Sequence, residues 1–316
     1  MFEIDWDIEN ESMREKDLER IRKFRLIDDE FMGRVFDDRK DCADLLLRLI
    51  LKREDMRTIE VQTKKSISNL HGYSIQLDIY AKDTEGKIYD IEIQRSDEGA
   101  IPRRARYYSA MLDTNILKKE EKHGEDEFTA DSGYNIYKKL PETYVIFITE
   151  NDILKEGRAI YHIEKVIRES GNKFDDGLHL VYVNGKIQDD TPLGRLMHDF
   201  FCTDADDMYY EILAEQVRHH KESEEGVRSM CRELETMRRE YYKKGISFGE
   251  KRGEARGEAR GEARGEARGE ANTSKKLAIK MAGRGDSVEE IAEFVEYDVP
   301  TVKAWLAEEA HNKYSK

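Results

Sequence analysis

Residues 74–95 contain three side chains that could bind a divalent cation or a phosphate: Asp78, Glu92 and Gln94. The segment reads SIQLDIYAKDTEGKIYDIEIQR, and apolar and polar residues alternate on both sides of Thr84-Glu85-Gly86. Such alternation is typical of two antiparallel strands joined by a short loop, and Gly86 can take the left-handed conformation that a three-residue loop needs. The segment therefore predicts a hairpin with one apolar and one acidic face.

The register of this hairpin decides which polar groups meet. A pairing of Asp83 with Lys87 closes the loop. The same register places Asp78 directly opposite Glu92. It also pairs two amides, Gln76 with Gln94. Directly opposed residues have Cβ atoms about 5 Å apart, so the sequence predicts two adjacent carboxylates.

Two like charges at that distance weaken a sheet unless something lies between them. Mg²⁺ or Mn²⁺ would reverse the sign of the interaction, because both cations prefer hard oxygen ligands. Asp90 adds further negative charge to the same face. The alternative is an ordinary solvated sheet face that happens to be acidic, and the pattern alone leaves both interpretations open.

The order Asp78, hairpin, Glu92-Ile93-Gln94 resembles the D…ExK signature of the PD-(D/E)XK nuclease superfamily. The closest resemblance is to its recombination-promoting nuclease and transposase-like group, whose members commonly show ExQ. It extends over roughly residues 20–220, with matching blocks in the expected order: NLHGYSIQLDIYAKD, YDIEIQ, RRARYYSAMLD, PETYVIFITENDILKEG, DGLHLVYVNG and DDTPLGRLMHDFFC.

This resemblance implies a metal-dependent endonuclease that hydrolyses DNA phosphodiester bonds with Mg²⁺ or Mn²⁺. It also implies an α/β restriction-endonuclease-like core, a mixed central sheet flanked by helices, with an α-helical C-terminal extension. Asp78 and Glu92 would be catalytic metal ligands. Gln94 would occupy the position of the superfamily's catalytic lysine, where a neutral amide can only orient a water or a phosphate oxygen by hydrogen bonds.

Many superfamily members carry one more acidic residue on an early helix. Asp28-Asp29-Glu30 begins the corresponding block here, and further aspartates follow it: Asp37, Asp38, Asp41 and Asp44. Spacing singles out none of them, and Asp28 or Asp29 could simply cap the helix, which is the commoner use of aspartate before an apolar-periodic run. The early ligand therefore stays unassigned.

The chain has 316 residues and a formal net charge of −14, so any DNA contact must be local. Arg103, Arg104 and Arg106 follow Pro102 without an intervening acid, and we predict that they position phosphates on a helix that begins near Pro102. The alternative is a solvated helix face with its tyrosines in the core.

Several features limit the remaining classes of function. The longest apolar runs are too short to span a bilayer, and the amino terminus lacks the basic and apolar regions of a signal peptide, which predicts a cytoplasmic protein. The cysteines are widely separated and are expected to be buried free thiols: Cys42, Cys202 and Cys231. A structural role is favoured for the following histidines: His162, His179 and His198.

Later segments complete the predicted architecture. Residues 118–141 read as a charged loop, and Thr143–Thr149 and Leu178–Val183 as buried strands. The sequence predicts a nuclease-like domain over residues 1–215, a charged helical segment and tether over 216–272, and a small helical module resembling a helix-turn-helix over 273–316.

The tether contains GEKR, four copies of GEAR, and GEA between Gly249 and Ala271. Glu and Arg never fall three or four residues apart, so a lone helix would be marginal. Two interpretations remain: a partly helical tether, or self-association in which a Glu ridge faces an Arg ridge. For the module after it, an oligomerisation role is favoured over DNA reading. The function alternative to the nuclease is a catalytically weak or inactive DNA-associated scaffold that oligomerises through this tail.

Overall fold

A computed structural model describes residues 6–69, 72–123 and 136–314. The chain divides into two compact units, Met1–Thr236 and Met237–Lys316. The three-part division from the sequence stays a prediction.

The helices are α1 (Trp6–Lys23), α2 (Asp29–Val35), α3 (Lys40–Leu51), α4 (Pro102–His123), α5 (Pro192–Phe201), α6 (Glu211–Glu222), α7 (Glu224–Ala282), α8 (Val288–Val295) and α9 (Val299–Tyr314). The strands are β1 (Thr58–Ile67), β2 (Ile75–Asp83), β3 (Ile88–Gln94), β4 (Thr143–Thr149), β5 (Ile160–Ile163) and β6 (Leu178–Asn184). Short 3-10 turns lie at Asp97–Ala100, Ile136–Lys139 and Ala205–Asp207.

In the described residues the strands form one mixed sheet with the order β1-β2-β3-β4-β6-β5. The strands β1, β2 and β3 are antiparallel neighbours, β4 pairs parallel with both β3 and β6, and β5 lies antiparallel at the edge. Gly86 has φ 85°, and the Asp83 amide donates to the Lys87 carbonyl at 3.1 Å. The mixed sheet, the hairpin loop and both predicted strands are confirmed, although Leu178–Leu180 of the second strand are only half-buried.

Helices cover the sheet. The helix α4 contacts β1 and β4, while α2 contacts β1 and β2 and α3 contacts β1. Side chains from β2, β4, β6 and α4 share one apolar cluster that includes Leu77, Tyr80, Val145, Phe147, Tyr182, Ala105, Tyr108, Met111 and Leu112. This packing fixes α4 beside the hairpin, so that Arg104 near the beginning of α4 lies next to Glu92 of β3.

The stretch predicted as a loop over residues 118–141 differs in part. The helix α4 continues to His123, a 3-10 turn covers Ile136–Lys139, and residues 124–135 lie outside the described part of the chain. The residues Lys118–His123 are charged but contain neither glycine nor proline, which permits the helix to continue.

Side-chain caps begin the last two helices of the C-terminal unit. Ser287 and Glu290 form the capping box of α8, and the Asp298 carboxylate accepts from the Thr301 amide at 3.1 Å at the beginning of α9. Apolar residues of the three helices pack together: Ala278, Ile291, Ala292, Val295, Val302, Trp305 and Leu306. The first of these three helices is the end of α7, a single helix that also contains the GEAR repeat, for which the sequence left open a partly helical tether or self-association.

No helix within the described ranges combines the length and the apolar character that crossing a membrane would require.

Candidate active site

The β2–β3 ladder ends where the predicted carboxylates meet. Backbone pairing runs from Lys82–Ile88 to Ile79–Ile91 and confirms the register. One position further on, side chains replace the backbone bonds. The Asp78 amide donates to Glu92 Oε1 at 3.1 Å, and the Ile93 amide donates to Asp78 Oδ2 at 2.9 Å. The strands thus open around two carboxylates that each bind the opposite backbone.

Asp78, Asp90 and Glu92 form what we call the carboxylate cluster. Asp78 is 8% exposed, and both Asp90 and Glu92 are 0% exposed. The alternative of a solvated acidic face is therefore wrong, because helix packing against the sheet buries these side chains together with their apolar neighbours. The predicted meeting of the carboxylates is confirmed, but in a buried environment.

Burial dominates the ionisation of the cluster. Loss of solvation raises the pKa of Asp78 despite the nearby Lys64. It also raises the pKa of Asp90 well above its ordinary value, and the Asp78 charge adds to the rise. The pKa of Glu92 rises well above its ordinary value, through burial first and then through the charges of Asp90 and Asp78. Like charges are thus held together in a place that penalises charge.

Asp90 is the unsatisfied member of the cluster. Among the described residues, neither of its buried carboxylate oxygens has a hydrogen-bond partner. A buried acceptor without a partner costs about 1–3 kcal/mol, and more when it is charged. Carboxylate oxygens are the donors that Mg²⁺ or Mn²⁺ prefers, and each of them can accept more than one partner, so the chemistry of these three residues fits the divalent cation that the sequence predicted.

Gln94 and Arg104 border Glu92 on one side. Gln94 Nε2 and Arg104 Nη2 each lie 3.3 Å from Glu92 Oε2. Arg104 also donates to the Tyr108 hydroxyl at 2.7 Å and lies over the Tyr108 ring. A Cβ on Gly99 would lie 2.1 Å from Gln94 Oε1, so the absence of a side chain there makes room for the amide.

Lys64 lies beside Asp78, and Asp29 lies beside Lys64. Lys64 Nζ lies 3.6 Å from Asp78 Oδ1 and also forms an ion pair with Asp29 of α2. Asp29 is therefore the early acid that Lys64 links to the cluster. Asp28 occupies the N-cap position of α2 without a side-chain capping bond, because its carboxylate accepts from the Arg25 amide at 2.8 Å and from Arg95 at 2.9 Å.

The structure separates the remaining predicted residues. Of the predicted DNA-binding arginines, Arg104 contacts the cluster, whereas Arg103 and Arg106 are exposed on α4. The predicted pairing of Gln76 with Gln94 is wrong, because the ladder ends before it and the Gln76 amide donates to the Lys64 carbonyl instead. The helix predicted to begin near Pro102 is confirmed.

A second cluster of possible metal ligands lies in α5 and the turn after it. Ligand atoms of His198, Asp199 and Cys202 all lie within 4.8 Å of one another. Both oxygens of Asp199 already accept backbone N–H groups at 2.8 Å, from Tyr209 and from Tyr210. This cluster holds the chain after α5 in place. Cys42 is buried as predicted, whereas Cys202 and Cys231 are half-buried.

Two features of the site were not predicted from the sequence: the approach of Lys64 to Asp78 and the burial of Asp90. Lys64 lies across from Asp78 in the β1–β2 register, between the pairs Thr63–Ile79 and Lys65–Leu77. The strand TIEVQTKKSI could have revealed it if β1 had been aligned against the hairpin. The burial of Asp90 has no local signal, because it depends on the helices that cover the sheet.

Residues 45–188 match the family model described as PD-(D/E)XK nuclease family transposase. No curated protein and no solved structure matches the chain.

Proposed function

Since residues 45–188 belong to the PD-(D/E)XK nuclease family of transposases, which confirms the predicted family, we propose that this chain hydrolyses DNA phosphodiester bonds with a divalent cation as an endonuclease. The observation that carries the proposal is the carboxylate cluster. Asp78 and Glu92 share it with Asp90, whose buried oxygens have no hydrogen-bond partner among the described residues.

Asp78 and Glu92 would hold the cation, Mg²⁺ or Mn²⁺. When bound, the cation would withdraw charge from the phosphate and lower the pKa of the attacking water. Hydrolysis adds a hydroxyl group to phosphorus, breaks one bridging P–O bond and leaves a proton on the departing oxygen. Gln94 can orient the water or a phosphate oxygen, because its amide already lies 3.3 Å from Glu92.

Arg104 would position the phosphate. Its guanidinium lies 3.3 Å from Glu92 and is steered by the Tyr108 hydroxyl at 2.7 Å, so a phosphate near the cluster would meet a preoriented cation. The exposed Arg103 and Arg106 extend positive charge along the surface of α4. Local contacts of this kind are needed because a net charge of −14 opposes general DNA binding.

Supercoiled plasmid incubated with the full chain tests the proposal. We expect nicking with Mg²⁺ or Mn²⁺ and none in chelator. Asp78→Asn and Glu92→Gln should abolish both nicking and Mn²⁺ binding measured by calorimetry, because each removes a charged ligand.

The double variant His198→Ala/Cys202→Ser is the matched control, since it removes the other possible ligands and should keep nicking and Mn²⁺ binding. Mn²⁺ affinity that survives both replacements in the carboxylate cluster would contradict the site.

A second proposal concerns assembly, and it also applies to the scaffold alternative. Residues 240–270 of α7 are exposed along their whole length. The repeat Gly249–Ala271 within this stretch lacks Glu–Arg pairs three or four residues apart, so its helix gains little from its own side chains. We propose that a second copy pairs with it, with Glu ridges against Arg ridges.

A further inference from the structure

We propose that Lys64 supplies the positive charge at the reacting phosphate that Gln94, a neutral amide, cannot supply. The inference rests on the proposed nuclease function and adds a catalytic residue to it. The resemblance places Gln94 where the superfamily has its lysine, and the structure brings another lysine to the same carboxylates from a neighbouring strand.

Lys64 lies next to the carboxylate cluster. Lys64 Nζ lies 3.6 Å from Asp78 Oδ1, whereas Gln94 and Arg104 contact Glu92. Within the described residues, no other lysine forms an ion pair with a member of the cluster. A phosphate oxygen that replaced the Asp78 contact would meet an ammonium group directly.

The backbone of β1 is the second argument. Lys64 has φ 54°, in the left-handed region that residues with a Cβ rarely adopt, and it does so within a strand. Such a conformation costs of order 1–3 kcal/mol and persists only when its surroundings determine it. Here it accompanies the turn of the Lys64 side chain toward Asp29 and Asp78.

The packing of α2 is the third argument. A Cβ on Gly33 would lie 3.3 Å from Lys64 Cε, tighter than ordinary contact, so glycine leaves room for the lysine stem. The neighbouring Thr63 hydroxyl donates to the Gly33 carbonyl at 2.9 Å and fixes β1 against α2. The stem is therefore held, while 30% of the side chain stays exposed where a phosphate could approach.

The chemistry suits a lysine. Negative charge on the nonbridging phosphate oxygens grows as water attacks, and a compact ammonium stabilises that charge without transferring a proton. Arg104 lies at Glu92 and Lys64 at Asp78, so the two cations can contact different oxygens of one phosphate. The competing role for Lys64 is to balance the charge of Asp78 when no cation is bound.

Single-turnover nicking at saturating protein and Mg²⁺ separates the two roles. We expect Lys64→Met to lower the rate about 100-fold, as loss of one transition-state contact does. Mn²⁺ affinity should stay the same or increase, because a competing cation has gone. Lys64→Arg should keep part of the rate, and adding Gln94→Lys to Lys64→Met should restore about tenfold or more, since it returns an ammonium to the site.

Lys52→Met is the matched control, because Lys52 also has φ 54° but caps α3. It should leave the rate unchanged. If Lys64→Met does not fold, Lys64→Gly carries the test, since glycine accepts this φ. A rate within about threefold of wild type for the folded Lys64 variant would overturn the inference alone. A wild-type chain without metal-dependent nicking would overturn the proposed function and this inference with it.

Discussion

The carboxylate cluster and the second cluster of possible ligands, His198, Asp199 and Cys202, each contain a fully buried aspartate. The two aspartates differ in their hydrogen bonds. Asp90 and Asp199 are each 0% exposed. Both oxygens of Asp199 accept backbone N–H groups at 2.8 Å, whereas those of Asp90 have no hydrogen-bond partner in the described part of the chain. Asp90 therefore brings two oxygens without a partner to the carboxylate cluster, whereas the fold has already used both oxygens of Asp199.

Replacing each of these two aspartates by asparagine should give the largest difference between the clusters, because the two replacements should change the free energy of unfolding in opposite directions. Asp199→Asn puts an NH₂ group where a carboxylate oxygen accepted a backbone N–H, which leaves a buried donor unsatisfied. We expect the free energy of unfolding to fall by roughly 1–3 kcal/mol. Asp90→Asn removes a buried charge instead and should raise the free energy of unfolding in chelator at pH 8.

The gain in stability from Asp90→Asn should depend on pH. A carboxyl whose folded pKa is raised destabilises the folded chain progressively as the pH rises from the ordinary pKa of aspartate through the raised one. The gain from Asp90→Asn should therefore shrink as the pH falls. Urea unfolding at several pH values measures both variants, and a loss of stability in Asp90→Asn at pH 8 would contradict the account of an unsatisfied carboxylate.

His220 extends the comparison to a buried base. Among the described residues its Nδ1 has no hydrogen-bond partner, and burial lowers its pKa to about 4 from an ordinary value of 6.5. Unlike Asp90, it becomes neutral by losing a proton, so it needs no cation at neutral pH. The stability that this provides is present above pH 6.5 and is lost as the pH falls toward 4.

His220→Gln should therefore reduce the acid sensitivity of unfolding. The expected difference between pH 6.5 and pH 4 is about 1 kcal/mol, after allowance for the partly exposed ring. Urea unfolding in chelator at both pH values measures it. Wild-type and variant stabilities that fall in parallel would show that His220 does not titrate in this range.

Local sequence patterns predicted the parts of the site that local geometry controls. Alternation and the loop ending in Gly86 predicted the register that brings Asp78 to Glu92, and the pattern of Pro102 and the arginines predicted the beginning of α4. Both depend on residues near in sequence.

Contacts over long sequence separations could not be predicted in this way. The burial of Asp90 depends on helix packing, and the approach of Lys64 to Asp78 depends on a left-handed residue in β1 that lysine itself does not signal. The failed Gln76–Gln94 pair has the same origin. The strands separate where side chains replace the ladder, and alternation alone gives no sign of where a ladder ends.

Removing the GEAR repeat should have the smallest effect on nicking. The repeat also differs most from the carboxylate cluster in the exposure of its charges. Its like charges recur in stripes on an exposed helix, where solvent screens them, whereas the cluster holds its charges in a buried place. Truncation before Gly249 should therefore leave plasmid nicking per molecule, at high protein concentration, close to that of the full chain. Light scattering on the same samples tests assembly: a smaller oligomer after truncation supports helix pairing, and an unchanged mass supports a tether. Complete loss of metal-dependent nicking at saturating protein would contradict the prediction that cleavage does not need the repeat.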